Sequence, residues 1–117
     1  MRPVTVDRSA AVAVVFARGE LDAYSAPDLE AAFADVDAEP HVVVDLDRVS
    51  FLDSTALGVV VRAVRDVDER GGRAFVVLPR GPARRIFEIT TLDSVLPVAE
   101  SRAQALRSLA TEELSGG

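Results

Sequence analysis

Ser54 and Thr55 follow Asp53 directly, at the point where a short apolar run of strand character gives way to one of helical character. His41-Val42-Val43-Val44 with Leu46 is the β-branched run a covered, central strand needs, whereas Leu57, Val60, Val61, Val64 and Val67 recur at helical spacing. The period changes at Asp53, a natural N-cap because its carboxylate can accept from backbone N–H groups one turn on. Ser54 and Thr55 then occupy the first turn, with their hydroxyls toward solvent or a partner. A phosphate added there would meet unpaired N–H groups and the positive end of the helix dipole, which favours an exposed anion by roughly 0.3–1 kcal/mol. The chemistry these residues suggest is a phosphorylation switch. Small polar residues in a first helical turn are more often ordinary caps, so the turn alone leaves both readings open.

Other constellations carry less. Asp45, Asp47 and Asp53 have the carboxylates a hard cation prefers, but Asp45 and Asp47 share strand parity near a strand end, where solvated turn residues are the usual occupants, and no metal site is expected. Paired carboxylates doing acid–base work need a sizeable cleft and pKa values driven apart by environment, and 117 residues leave little room for one. His41, beside Pro40 at a strand start, reads as a partly exposed surface residue and not a general base. Cysteine and lysine are both absent. That excludes thiol catalysis, disulfides, a Schiff-base lysine and a P-loop lysine, and leaves the lone histidine unable to build a His/Cys metal site. An aspartyl-phosphate receiver, also a small α/β switch, lacks its lysine here and the acidic pair after the first strand. The expectation is a protein with no catalytic residues and no cofactor.

A net charge of −6 and a pI near 4.7 repel nucleic acid, and no basic stripe offsets them. Residues 1–18 interrupt a short apolar run with Asp7, Arg8 and Arg18, too brief a stretch for a signal peptide or a membrane span, so a soluble, cytoplasmic protein is expected. The length suits one domain. With 49% apolar but only 5% aromatic residues, valine, alanine and leucine must fill the core, as in layered α/β packing.

In chain order, Val4 and Val6 alternate with polar neighbours, a turn follows at Arg8-Ser9, and residues 11–17 complete a hairpin. Gly19 breaks the pattern and sends Glu20-Leu21-Asp22 into an exposed acidic loop. Ser25, Pro27 and Asp28 mark the start of an amphipathic helix over about 25–38. A strand at 41–46 leads into the helix Ser54–Arg70, closed by Gly71-Gly72. A strand at 73–78, a turn at Pro79-Arg80-Gly81-Pro82, a short helix ending at Thr90-Thr91, and an edge strand at 95–98 restricted by Pro97 come next. Ser101 caps a last helix that turns Ala105, Leu106 and Leu109 inward, before a flexible tail at 111–117. The domain itself spans 1–110.

This order of elements, with Gly19-Glu20-Leu21-Asp22 after the second strand and Phe51-Leu52-Asp53-Ser54-Thr55-Ala56-Leu57-Gly58 at the strand-to-helix junction, resembles the STAS family, and within it the anti-sigma-factor antagonists. Gly71-Gly72 and Pro82-Ala83-Arg84-Arg85-Ile86-Phe87 are weaker landmarks. The resemblance covers nearly the whole chain and implies an α/β STAS fold: a mixed sheet of four to five strands with about four helices packed against it. It also implies partner switching. The unmodified protein sequesters an anti-sigma factor that is itself an ATP-dependent serine kinase, freeing a sigma factor it never touches directly; the kinase phosphorylates the residue after the motif aspartate, here Ser54; and a PPM-type serine phosphatase resets it. Asp53, Thr55, Ala56 and Gly58 flank that site, and Glu20, Asp22, Ser54, Thr55 and Leu57 are the expected partner contacts. Ala56 stands where a glycine commonly follows the two hydroxyls and is expected to add a methyl beside the kinase-facing turn. STAS domains also serve as scaffolds or as subunits of transport complexes, which is the alternative function for this chain.

Overall fold

The computed structural model describes residues 4–9, 12–78, 81–89 and 96–115. Among them are five strands, β1 Val4–Ser9, β2 Val12–Leu21, β3 His41–Leu52, β4 Arg73–Val77 and β5 Val98–Ala99, and four helices, α1 Ala26–Asp35, α2 Ser54–Glu69, α3 Pro82–Ile89 and α4 Arg102–Ser115. The strands form one mixed sheet in sequence order, with β1 antiparallel to β2 and every other neighbouring pair parallel. The sequence therefore predicts the fold class correctly.

The sheet is buried on both faces at its centre, which explains the unbroken apolar run of β3. Ala13, Val15, Val42, Val44, Leu46, Ala74 and Val76 pack beneath α1, α2 and α3. Val14, Val43, Val77 and Ala99 face the other way, against Ala105 and Leu109 of α4. Gly72, between α2 and β4, sits at a place only glycine fits, because a Cβ there would run into the Pro40 carbonyl oxygen.

Two strands are longer than the sequence suggests. β2 continues through Gly19 to Leu21, and β3 through Asp47 to Leu52, paired along that length with register shifts between Phe16 and Arg18 and between Gly19 and Glu20. Each shift leaves an extra residue in β3, so simple alternation fails there, and Gly19 (φ 76°) supplies the left-handed conformation at the second. β4 pairs with β3 only from His41 to Asp45. Beyond that point β2 and β3 continue as a paired ribbon whose Leu21, Val49 and Leu52 stay buried in the core.

Smaller differences concern ends. Arg8 and Ser9, expected as a turn, are paired strand residues, with Ser9 opposite Val12. α1 is shorter than 25–38, and β5 is limited to Val98–Ala99. α4 continues to Ser115, past the expected start of a tail at 111. The expected turn at Pro79-Arg80, the helix end at Thr90-Thr91 and the last two glycines lie outside the described residues.

Asp45 is a correction of a different kind. It is 4% exposed, not a solvated turn residue. Its Oδ2 accepts from Arg102 Nε at 2.8 Å and its Oδ1 from the Asp47 amide at 3.0 Å, so the pair ties the first turn of α4 to the middle of β3. The Arg102 guanidinium also lies 5.6 Å from the centre of the Phe16 ring.

Candidate functional site

The paired ends of β2 and β3 bring the two acidic motifs together. Leu21 stands opposite Leu52 at the end of the β2–β3 ladder, and the Asp53 amide donates to the Leu21 carbonyl at 3.0 Å. Segments some thirty residues apart in sequence thus converge at the carboxyl ends of neighbouring parallel strands, where open α/β sheets place their binding sites.

Asp53 holds this junction. It is extended at the N-cap of α2, its Oδ1 accepts from the Ala56 amide at 2.9 Å, and its Oδ2 accepts from the Ala23 amide at 3.0 Å. One carboxylate therefore caps the helix and fastens the loop after β2. Ser54 and Thr55 follow as exposed first-turn residues. Among the described residues their amides meet no acceptor, the condition under which a helix start accommodates an anion.

The acidic pair divides into two roles. Glu20 is exposed, but as a strand residue opposite Phe51, not part of a loop. Asp22 turns its carboxylate inward: Oδ1 accepts from the amides of Tyr24 (3.0 Å) and Ser25 (3.1 Å) and lies 3.3 Å from Ser25 Oγ. Ser25 Oγ in turn accepts from the Asp22 amide at 2.9 Å, so Ser25 closes the loop and makes no side-chain cap on α1. The structure gives Asp22 a positioning task that its sequence context did not reveal.

Two flanking residues also face elsewhere than expected. Ala56 is 0% exposed, so its methyl packs into the core and is not presented to a partner. Leu57, at 9%, likewise belongs to the core and offers little contact surface. Gly58 is half-buried one step further along α2. What the sequence reading missed is Tyr24, 94% exposed on the fastened loop, and Phe51, 47% exposed on the ribbon. Its place between the Gly19 break and the Ser25-Ala26-Pro27 helix start, outside any strand or helix pattern, was the available signal for the first.

Among the described residues no group of three or more His, Cys, Asp or Glu side chains is placed to hold a metal ion, and no helix is long and apolar enough to cross a membrane. The candidate site is a surface: an exposed hydroxyl pair on a capped helix start, bordered by Glu20, Phe51 and the Tyr24 loop.

The chain resembles known proteins in sequence and in fold. The chain is 34% identical over 86 residues to an anti-sigma-B factor antagonist of Listeria monocytogenes, covering 72% of this chain and 75% of that one. It is 32% identical over 84 residues to an anti-sigma-B factor antagonist of Staphylococcus aureus, covering 70% and 78%. The crystal structure of an anti-sigma factor antagonist from Mycobacterium paratuberculosis superposes with a TM-score of 0.84 at 31% identity, covering 92% of each chain. The STAS domain family model matches residues 3–105, spanning every strand of the sheet together with the capped turn at Asp53, and the chain belongs to that family.

Proposed function

We propose that this domain is an anti-sigma-factor antagonist that acts by partner switching from the cytoplasm. Its relatives regulate by binding and not by catalysis. In its unphosphorylated form it sequesters an anti-sigma factor that is also a serine kinase, and so releases a sigma factor. The kinase ends the interaction by phosphorylating Ser54, and a PPM-type phosphatase restores it. The observation that carries this reading is the Asp53 junction: an exposed Ser54 with unengaged first-turn amides, at the meeting point of both family motifs.

The geometry accounts for a switch without refolding. Phosphorylation adds about −1.5 to −2 charges at a helix start whose amides tolerate them, so the fold survives. A partner surface fitted to a neutral hydroxyl then faces an imperfectly paired dianion beside Asp53 and Glu20, a penalty on the order of several kcal/mol. Thr55 is the neighbouring hydroxyl that stays unmodified, and Glu20 lies at the rim, where charge sets association rate more than affinity.

Incubation with the purified anti-sigma kinase and ATP, followed by phosphopeptide mapping, tests the assignment. Phosphate is expected on Ser54, with Ser54→Ala binding constitutively and Ser54→Asp binding poorly. Phosphate on Thr55 alone overturns the site. A phosphorylated domain that binds ADP-loaded kinase as tightly as the unmodified one overturns the switch.

A further inference from the structure

Tyr24 is the single tyrosine of the chain and stands 94% exposed, yet its backbone is held on every side. Its own amide donates to Asp22 Oδ1 at 3.0 Å. The preceding amide, of Ala23, donates to Asp53 Oδ2 at 3.0 Å, and the following one, of Ser25, to Asp22 Oδ1 at 3.1 Å. Three consecutive amides are thus fixed by two carboxylates, and one of those carboxylates caps the helix that begins with Ser54. A large ring displayed to water on a fixed backbone contributes nothing to the core of this molecule. It is suited to filling a pocket on another, because the ordering of its loop is complete before binding and a tyrosine has only two side-chain torsions left to restrict.

We propose that Tyr24 is the aromatic anchor through which the unphosphorylated domain grips its anti-sigma factor, its ring filling an apolar pocket on that protein next to the cleft that receives Ser54. The inference rests on the function proposed above and adds to it the residue that sets affinity. The partner is singled out by position. A stable protein interface covers about 800 Å² on each side, a patch with a radius of roughly 16 Å. Any kinase that takes up the Ser54 hydroxyl must cover Asp53, and Tyr24 is one residue from the amide that Asp53 binds. Tyrosine is among the side chains most enriched where truncation costs the most binding.

The test compares the wild-type domain with Tyr24→Ala and Tyr24→Phe, titrated by calorimetry against the purified anti-sigma factor kinase loaded with ADP. Tyr24→Ala is expected to weaken binding at least about 30-fold and Tyr24→Phe by no more than about threefold, since the ring and not the hydroxyl does the filling. The melting temperature of Tyr24→Ala should stay within about 2 °C of wild type, because so exposed a side chain has little to lose on unfolding. Uniform 3-fluorotyrosine labelling gives one fluorine resonance, which should shift when the complex forms. Tyr24→Ala binding within about threefold of wild type, or a resonance unmoved in a complex that does form, overturns the anchor while leaving the antagonist function standing. A wild-type domain that binds no anti-sigma kinase overturns the function and the anchor with it.

Discussion

Replacing Asp53 by alanine removes two hydrogen bonds with separate consequences, and their sizes follow from where the donors sit. The bond to the Ala56 amide is an N-cap, worth about 1 kcal/mol on average and up to about 2 where the orphaned donor is buried, as it is at a residue with no exposed surface. The bond to the Ala23 amide joins an exposed donor to a charged acceptor, so water replaces much of it, leaving about 0.5–1 kcal/mol. The sum is about 2 kcal/mol, or roughly 8 °C in melting temperature for a domain of this size. Asp53→Asn separates the two parts. Its oxygen can keep the Ala56 cap, but its amide nitrogen then faces another donor at Ala23, so about 1 kcal/mol and roughly 4 °C should be lost. Calorimetric melting with urea titration measures both. Amide hydrogen exchange should show Ala23 released in both variants and Ala56 released only in Asp53→Ala. A melting temperature for Asp53→Ala within about 1 °C of wild type refutes the double role, as does an Asn variant that falls as far as the Ala variant.

Other perturbations are simpler. Arg102→Ala strips the Asp45 carboxylate of its charged partner inside the sheet; breaking a buried pair costs about 3–5 kcal/mol, and the partial exposure of Arg102 brings the expected loss to about 3 kcal/mol by urea unfolding. Ala56→Gly deletes a core methyl from the first turn of α2, so it should lower stability by about 1–2 kcal/mol while leaving kinase affinity within about twofold by calorimetry.

The helices and the capped turn at Asp53 were legible because local rules decide them. Asp53 was recognisable as a cap from the change of period around it, and the structure places its carboxylate on the Ala56 amide accordingly. The lengths of β2 and β3 were not, because two bulges break the alternation on which a strand is recognised, and Gly19 signals a turn as readily as a bulge. Asp45 could not be placed inside because its partner, Arg102, lies 57 residues on and is brought up only by the docking of α4. The orientation of Ala56 was available in principle. It stands four residues before Val60 and eight before Val64, both buried, so helical periodicity puts its methyl on the inner stripe. The inward turn of Asp22 needed the fold, since an aspartate followed two residues later by an exposed aromatic reads equally well as a free charge.

The ribbon formed by the ends of β2 and β3 has a mechanical consequence. From Arg48 to Leu52 the strand rises about 13 Å beside β2, turning Val49 and Leu52 into the core while Phe51 stays half exposed. The start of α2 therefore sits on a rim with an apolar floor: Leu21, Val49 and Leu52 hold it from beneath. Val76 of β4 and Phe87 of α3 belong to that same core, so a cavity opened under Leu52 would loosen the rim and the sheet together. The shape of the helix start and the stability of the domain are thus tied through the same few side chains.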